Sequence, residues 1–242
     1  MRVFAIGDLH LSFTGRVDPA NWEKATVSKP MDVFGPEWRE HYRRLYENWV
    51  KTVGAGDVVL VPGDISWAMR LEEAKYDLEF LGLLPGTIVA VAGNHDYWWQ
   101  SLSKVRSALP PNVRVIQNDC LLWGGLVFCG SRGWLCPGAE GFNEHNAKIY
   151  QRELIRTELS LKAASRYGGE LVALTHFMPA SEQHEMSGFI ELFNRYGVKT
   201  AVYGHLHGKA AKKRLPDFKF NINFFLVSAD FLNFVPKLIM ER

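Results

Sequence analysis

The chain has 242 residues, of which 47% are hydrophobic and 22% are charged, and its formal net charge at pH 7 is +2. These values fit one α/β domain with a buried core, and the small net charge gives no indication of a nucleic-acid or membrane partner. No apolar run approaches the roughly 20 residues of a membrane span. The first apolar run starts almost at Met1, where a secretory signal would otherwise stand. We therefore expect a cytoplasmic protein.

The three cysteines are Cys120, Cys129 and Cys136. Their odd number argues against a disulfide framework, and their spacing is not that of a zinc site. We expect buried free thiols in a reducing compartment.

In the first half of the chain, short apolar runs alternate with amphipathic segments. The apolar runs predict strands at 2–7, 57–61 and 87–92. Apolar residues three or four positions apart predict helices at 38–53, 71–81 and 102–109. An irregular segment, 11–35, separates the first strand from the first helix. This alternation predicts a largely parallel sheet.

In the second half, residues 113–130 have a strand pattern with a hairpin turn at Gly124-Gly125. The later elements predicted in chain order are a helix at 143–167, a strand at 171–175, a helix at 189–196 and a strand at 199–203. The tail, 219–240, alternates like one or two antiparallel strands and suggests a second sheet packed on the first. We find no repeat or linker, so we expect a single domain over 1–242.

Five short motifs carry most of the histidines of the chain, and all but His176 directly follow an apolar run. The motifs are Asp8-Leu9-His10, Gly63-Asp64, Gly93-Asn94-His95-Asp96, His176 and Gly204-His205-Leu206-His207. Because ligands bind at the carboxyl ends of the strands in open α/β sheets, we expect these motifs to meet at one rim. Imidazole and carboxylate groups together suit divalent transition metals, so the sequence predicts a hydrolytic metal centre.

The charge of such a centre indicates the substrate class. Two divalent ions with Asp8, Asp64 and a bridging hydroxide would keep a charge of about +1, which favours in-line attack on a phosphate ester or anhydride over a peptide. Asp64 lies in the middle of the motif order and is our candidate for the carboxylate shared by both ions. His95 is predicted to protonate the leaving group or to stabilise the phosphoryl oxygens, with Asp96 orienting its ring.

The ordered motif set resembles that of the calcineurin-like metallophosphoesterase superfamily, D-x-H, G-D, G-N-H-D/E, a lone H and G-H-x-H. The match runs from Val3 to Ser228. The resemblance implies a four-layer α/β/β/α sandwich of two mixed sheets flanked by helices, with a binuclear metal site. It further implies one metal held by Asp8, His10 and His207, a second held by Asn94, His176 and His205, and Asp64 as a ligand of both. His95 would be the catalytic histidine that binds no metal.

The chain departs from the family pattern in ways that bear on the substrate. Trp67 stands where many members have an acid three residues after Gly-Asp, and the Asp-Arg-Gly continuation of the protein Ser/Thr phosphatases is missing. A phosphoprotein substrate is therefore disfavoured. The segment 11–35 makes the gap between His10 and Gly63 unusually long, and we interpret it as a lid or insertion.

Several polar and aromatic residues outside the motifs were assessed in the same way. Arg132, Trp98 and Trp134 are candidates for substrate contact, with core packing as the alternative for the tryptophans. The remaining histidines, His41, His145 and His184, are interpreted as ordinary polar groups. The basic run at 209–214 is interpreted as a solvated hairpin.

The predicted function is a phosphohydrolase with two divalent metal ions, drawn from Mn²⁺, Fe²⁺/Fe³⁺, Zn²⁺, Co²⁺ and Ni²⁺, all of which accept nitrogen and oxygen ligands. We expect a phosphorylated small-molecule substrate such as a nucleotide, and a phosphodiesterase or nucleotide pyrophosphatase activity. The alternatives are a phosphomonoesterase, a lipid-precursor pyrophosphatase, a repair exonuclease or a non-catalytic metal-binding scaffold.

Overall fold

Two β-sheets lie face to face in the computed structural model, which describes residues 1–242. The strands are β1 (Arg2–Ala5), β2 (Val58–Pro62), β3 (Thr87–Val91), β4 (Val113–Val115), β5 (Cys120–Trp123), β6 (Leu126–Ser131), β7 (Glu170–Thr175), β8 (Thr200–Tyr203), β9 (Phe218–Lys219), β10 (Ile222–Leu226) and β11 (Lys237–Glu241). The first sheet has the order β11-β1-β2-β3-β4, and the second has the order β5-β6-β7-β8-β10-β9.

Helices cover the outer faces of both sheets. They are α1 (His41–Thr52), α2 (Lys75–Leu81), α3 (Leu102–Ala108), α4 (Glu144–Ala164) and α5 (Gly188–Tyr196). Short 3₁₀ turns occur at Trp22–Lys24, Met31–Phe34, Pro36–Trp38 and Gly208–Lys213. None of the helices combines the length and the apolar character needed to cross a membrane.

Each sheet has a parallel centre and antiparallel edges. Strands β1 to β4 run parallel, and β11 pairs antiparallel with β1. Strands β6, β7, β8 and β10 also run parallel, whereas β5 and β9 pair antiparallel with β6 and β10. Gly124-Gly125 forms the predicted hairpin turn, but it starts the second sheet. The tail does not form that sheet by itself, because β10 pairs with β8 and β11 returns to the first sheet.

The alternation of side chains along the central strands builds the layers. In β2, Val58 and Leu60 point toward the second sheet, while Val59 and Val61 point toward the helices of the first. On the far side, α4 and α5 cover the second sheet through side chains that include Leu161, Ile190 and Phe193. Apolar side chains on both faces of a strand are typical of buried parallel sheets. The result is the predicted α/β/β/α sandwich.

The segment 11–35 is attached to the first sheet and is not a detached flap. Leu11, Phe13 and Val17 are buried in the core under α1 and α2. Leu11 forms a β-bridge with Ser66, and Phe13 forms one with Val27. The N-terminal part of this segment is therefore structural, and only its C-terminal part reaches the rim that carries the predicted site.

Two helices begin later than the apolar spacing indicates. Helix α1 begins at His41 because Glu40, directly before it, has a left-handed backbone with φ of 46°. Helix α2 begins at Lys75, after a turn that uses Leu71. In both cases the apolar stripe includes residues of the turn before the helix.

Candidate metal centre

All five predicted motifs lie at one rim of the sandwich, just past the carboxyl ends of parallel strands. Asp8 follows β1, Asp64 follows β2, Asn94 follows β3, His176 follows β7 and His205 follows β8. A parallel β-bridge between Gly7 and Ser228 joins the two sheets next to Asp8. Residues from distant parts of the sequence, and from both sheets, therefore converge there.

Three of the predicted ligands form a first group of donors. His207 Nε2 lies 3.4 Å from Asp8 Oδ1, and His10 Nε2 lies 3.4 Å from His207 Nε2. The donors of Asp8, His10 and His207 all lie within 4.8 Å of one another. Ligands around an ion with bonds near 2.1 Å are about 3.0–3.4 Å apart, so the spacing of this group suits one metal ion.

A second group surrounds the His176 ring. Its Nε2 atom lies 2.7 Å from Asn94 Oδ1, 3.2 Å from His205 Nδ1 and 3.4 Å from Asp64 Oδ2. Asp64 Oδ2 also lies 3.9 Å from His10 Nε2, so this carboxylate stands between the two groups. The structure thus brings all seven predicted ligands together.

The charges of the buried carboxylates fit divalent cations. Asp8 and Asp64 are buried, and the only basic groups within ion-pair distance of them are histidines. Burial, together with the nearby Asp96 and Asp8, raises the pKa of Asp64 to about 9. Burial acts in the same direction on Asp8, but the hydrogen bond from His207 and the charges of the surrounding histidines bring the pKa of Asp8 below its usual range. Buried carboxylates without a cation are costly, and divalent ions would offset that cost.

The imidazoles also fit a metal site. Burial lowers the pKa values of His10, His176 and His205, the last to about 3, and the neutral imidazole is the form that binds metal. His10 Nδ1 is buried without a hydrogen-bond partner. His207 differs, because hydrogen bonds to Asp230 and Asp8 outweigh the effect of burial and raise its pKa to about 10.

Asp230 is a further residue of the candidate site, and none of the sequence motifs includes it. Its Oδ1 atom lies 2.8 Å from His207 Nδ1, and its Oδ2 atom accepts a hydrogen bond from the backbone N–H of Gly208. This contact leaves His207 Nε2 directed at Asp8 and His10. A carboxylate that orients a ligand histidine is a common feature of metal sites. The available signal was its position, four residues past β10 at the same rim.

The glycines of the motifs allow the loops to approach one another closely. A Cβ atom at Gly93 would collide with the Asp64 carboxylate, and one at Gly204 would collide with that of Asp8. The loop backbone is also strained at Asp8, His10, Asp64 and His205, whose φ angles lie between 46° and 70°. Left-handed non-glycine residues cost about 1–3 kcal/mol each and cluster at functional sites. The left-handed backbone at these residues turns the loops so that their donor side chains face one another.

Asp96 connects the loops that carry two of the ligands. Its carboxylate accepts hydrogen bonds from the backbone N–H groups of Ile65, Ser66 and Gly93, and from the indole N–H of Trp98, at 2.7–3.1 Å. It makes no hydrogen bond to the His95 ring. The prediction that Asp96 orients that ring is therefore wrong. Both oxygens of Asp96 instead accept hydrogen bonds from the loops around Asp64 and Asn94.

The His95 ring instead packs against Trp67. The ring centroids are 4.3 Å apart, and Trp67 also stacks on His10 at 4.9 Å. The Trp67 indole N–H donates to Met31 Sδ at 3.2 Å, and Lys29 Nζ lies 4.8 Å from the ring centre. Burial, together with the nearby His176, lowers the pKa of His95. Trp67, at which the chain departs from the family pattern, thus packs against one predicted ligand and the predicted catalytic histidine.

A cavity of about 300 Å³ opens onto the donors. Its lining contains the imidazole and carboxylate side chains of His10, Asp64, His95, His205 and His207. It also contains the apolar and aromatic side chains of Met31, Phe34, Trp38 and Trp67, and the acidic Glu37 and Asp230. Phe34 and its neighbour Val33 are exposed by 65% and 75%, so apolar side chains stand at the mouth.

Comparison with known proteins identifies this arrangement. A family model described as calcineurin-like phosphoesterase matches residues 1–209. The chain belongs to this family. It is therefore a metal-dependent phosphoesterase, as its motifs and donor groups indicate. No curated protein matches the chain.

Solved structures show the same fold as this phosphoesterase. A phosphopantetheinyl hydrolase from Mycobacterium tuberculosis is 16% identical with a TM-score of 0.54, and the alignment covers 100% of this chain and 96% of that one. A protein of unknown function from Aquifex aeolicus is 13% identical with a TM-score of 0.50, covering 98% and 95%. A protein from Thermus thermophilus is 14% identical with a TM-score of 0.50, covering 86% and 83%. At these identities the likeness concerns the fold.

The residues predicted to contact substrate do not line the cavity that contains the candidate metal donors of the phosphoesterase. Trp98 is completely buried and donates to Asp96, so it cannot contact a substrate. Trp134 packs on Phe177 at 4.7 Å, and Phe177 in turn packs on His205 at 4.0 Å. Arg132 lines a different cavity. The assignment of Trp98 rested on its place just after the Gly93-Asn94-His95-Asp96 motif, and nearness in sequence does not bring its side chain to the donors.

The structure also shows the environments of His41, of the basic run at 209–214 and of the three cysteines. His41 is a satisfied core group, since it is buried with Nε2 3.0 Å from the Leu9 carbonyl oxygen, and burial lowers its pKa to about 4. The basic run forms a 3₁₀ turn and not a hairpin, and Lys213 pairs with Glu140 at 3.3 Å. All three cysteines are free thiols as predicted, but only Cys129 and Cys136 are buried, and Cys120 on the edge strand β5 is partly exposed.

Proposed function

We propose that the chain is a binuclear phosphohydrolase that cleaves a phosphoester or phosphoanhydride bond in the cavity described above. The observation that carries the proposal is the arrangement of the two donor groups, which converge at one rim and face each other across Asp64. Asp8, His10 and His207 would hold one ion, Asn94, His176 and His205 would hold the other, and Asp64 would bind both. When bound, two divalent ions supply Lewis acidity and a hydroxide nucleophile at neutral pH.

The protein residues then bind and orient the substrate. His95 lines the cavity beside the donors, and its ring N–H can donate to a phosphoryl oxygen or to the departing oxygen. The backbone N–H of His95 donates to Asp64 Oδ1 at 2.8 Å, which fixes the loop relative to the donors. Trp67 limits the rotation of the imidazole ring. His95 is therefore our candidate catalytic residue, and Asp96 and Trp67 are positioning residues.

The apolar and aromatic part of the cavity lining indicates the substrate class. Met31, Phe34, Trp38 and Trp67 offer apolar and aromatic surface to an organic group attached to the phosphorus. A nucleotide pyrophosphate or another phosphodiester has such a group, and we propose this class. The exposed Val33 and Phe34 at the mouth favour one alternative, a lipid-precursor pyrophosphate whose acyl chain would lie on these side chains.

A substrate panel tests this proposal. The Mn²⁺-loaded protein is assayed with bis-p-nitrophenyl phosphate, p-nitrophenyl phosphate, a dinucleoside pyrophosphate and an acylated nucleotide pyrophosphate. We expect the diester and the pyrophosphates to be cleaved with higher kcat/KM than the monoester. A clear preference for the acylated compound would support the lipid-precursor alternative. If metal-replete protein hydrolysed none of them, the catalytic proposal would be wrong and a binding scaffold would be favoured.

The His95→Asn variant tests the role of the histidine. We expect kcat to fall by about 10²–10⁴, the usual contribution of a general acid, while the metal content measured by mass spectrometry stays the same. His145→Asn, in which an exposed histidine on α4 receives the same substitution, is the matched control. Full activity in His95→Asn would remove His95 from the mechanism without affecting the metal assignment.

A further inference from the structure

A second cavity, of about 250 Å³, lies at the same rim on the other side of the loop that carries Asn94 and His95. Its lining includes Gly93, Asp96 and Ser131, together with Glu153 and Arg156 of helix α4. The rest of the lining is Arg132, three carboxamide side chains and three apolar or aromatic residues, namely Gln100, Gln117, Asn118, Ala92, Trp99 and Ile116. None of the seven metal-donor residues lines this cavity, so the metal centre does not account for it.

The arginine side chains of this cavity have more N–H donors than hydrogen-bond acceptors within the protein. Arg132 and Arg156 both donate to the same oxygen of the buried Glu153, Oε1, at 3.3 and 2.6 Å. Each guanidinium has five N–H groups. Arg132 Nε is buried and has no hydrogen-bond partner. Of the two acids in the lining, Glu153 is held by both guanidinium groups, and Asp96 already accepts four hydrogen bonds from the loops.

The carboxamides add to this surplus of donors. The Gln117 side-chain oxygen accepts a hydrogen bond from the Trp99 indole at 2.7 Å, which leaves the NH₂ group of Gln117 for another partner. The side chains of Gln100 and Asn118 make no hydrogen bond within the protein. Two guanidinium groups and several amide donors around one polar cavity are the chemistry that recognises an oxyanion, because planar guanidinium groups bind phosphoryl oxygens in pairs.

We propose that this cavity is an oxyanion site that binds a phosphoryl group, either as free phosphate or as part of a small organic phosphate. The site is separate from the metal centre and does not depend on the proposed hydrolysis. It is joined to the centre through the backbone. The Arg132 carbonyl accepts hydrogen bonds from the N–H groups of His176 and Phe177, both at 3.0 Å, and Gly93 directly precedes Asn94. A bound phosphoryl group would therefore contact the loops that carry metal donors without touching the donors.

Phosphate binding to the Mn²⁺-loaded full chain tests this site. Equilibrium dialysis with radiolabelled inorganic phosphate should find two phosphates per wild-type chain, one at the metal centre and one in the cavity. Arg156→Gln removes one charged donor and should weaken one of these two sites by about tenfold or more. Arg152→Gln, which removes the same charge from an exposed position on α4, should bind phosphate like the wild type. Equal binding by Arg156→Gln and the wild type would overturn the proposal.

A second variant separates binding from a purely structural role of the arginine pair. Gln100→Ala removes a donor that makes no internal hydrogen bond, so the unfolding midpoint should not change while the affinity of the same site falls several-fold. If Arg156→Gln lost stability and Gln100→Ala bound phosphate like the wild type, the arginines would only anchor α4 and the proposal would be wrong.

Kinetics distinguish the two sources of the phosphoryl group. If Arg156→Gln raises KM for a dinucleoside pyrophosphate but not for bis-p-nitrophenyl phosphate, the cavity holds a second phosphoryl group of the substrate. If both KM values stay the same while phosphate binding falls, the cavity holds a separate phosphate. Loss of cavity binding in a protein that hydrolyses no ester would support this site while refuting the proposed function.

Discussion

Because Asp230 holds the His207 ring, we expect the affinity for metal to fall when Asp230 is replaced. Asp230→Ala removes the acceptor that holds His207 Nδ1 at 2.8 Å, so the ring can turn away from Asp8 and His10. Partners that orient ligand histidines contribute about 10–100-fold in metal affinity, and we expect a loss of that size for one of two bound ions. Titration calorimetry with Mn²⁺ measures it. Asp217→Ala, at an exposed position, should change nothing, and unaltered Mn²⁺ affinity in Asp230→Ala would refute the role of Asp230.

Because Trp67 packs against two imidazole rings, we also expect activity to fall when Trp67 is replaced. Its ring lies 4.3 Å from His95 and 4.9 Å from His10, so Trp67→Ala should free both imidazoles. We expect kcat to fall by about tenfold or more, and Trp67→Phe, which keeps an aromatic face, to recover most of it. Trp123→Ala, on β5 in the second sheet, is the control. If Trp67→Ala and Trp67→Phe lose the same activity, the packing argument fails.

The sequence predicted that seven candidate donor side chains would meet at one rim, because they occur in an ordered set of motifs, each at a strand end. Asp230 belongs to no such set, since it follows a strand of the tail that the pattern could not place in either sheet. The hydrogen-bond partners of Asp96 could not be predicted from the sequence either, because a buried carboxylate beside His95 can accept a hydrogen bond from the His95 ring or from the backbone. Only the geometry of the loops shows that four N–H groups already occupy it.

In the segment between β1 and α1, we expect a substitution at the cavity mouth to change KM and a substitution in the core to change stability. Phe34 is exposed at the cavity mouth, so Phe34→Ala should raise KM several-fold for substrates with an apolar group and leave the free energy of unfolding unchanged. Phe218→Ala, which removes an equally exposed phenylalanine from β9 in the second sheet, is the control. Phe13 is buried in the core, so Phe13→Ala should cost about 3–5 kcal/mol of stability. A KM equal to that of the wild type in Phe34→Ala would show that this segment does not contact substrate.

The pairing of the elements was less predictable than their existence. Apolar periodicity indicates that a strand is buried but does not say which neighbour it pairs with. For this reason the tail was expected to form the second sheet, whereas β11 pairs antiparallel with β1, more than 230 residues away in sequence. The same uncertainty applied to β4 and β5, which are neighbours in sequence but belong to different sheets.

In the molecule as a whole, the candidate centre lies where the two sheets meet. Asp8 and Asp64 come from the first sheet, His176 and His207 come from the second, and the bridge between Gly7 and Ser228 joins them. We propose that residues 1–242 form one domain, because neither sheet carries a complete donor group. Asp77 extends this connection into the first helical layer. Its carboxylate accepts hydrogen bonds from the Phe13 N–H and from the Ser66 hydroxyl, two residues after Asp64.

Asp77 also makes the stability of the whole chain depend on pH. Burial raises its pKa to about 7 from an ordinary value of 3.8, so between these values the folded state binds more protons than the unfolded state. The free energy of unfolding should therefore fall as pH rises through this range, by at most about 1.4 kcal/mol per pH unit from this group. Asp77→Asn keeps an acceptor for Phe13 and removes the titration. Urea unfolding of the metal-loaded protein at pH 5 and pH 8 measures the difference.

The comparison between variants separates the effect of replacing Asp77 from the contribution that the other buried acids make in both proteins. Asp64 and Asp96 are present in the wild type and in Asp77→Asn, so the difference between the two pH dependences reports Asp77 together with its interaction with Asp96. We expect a smaller loss of stability between pH 5 and pH 8 in Asp77→Asn than in the wild type, and no such change in Asp32→Asn, where the carboxylate is exposed. Equal losses in all three proteins would mean that Asp77 is ionised in the folded state throughout this range. Its two hydrogen bonds, and not a retained proton, would then connect α2 to the loops of the centre.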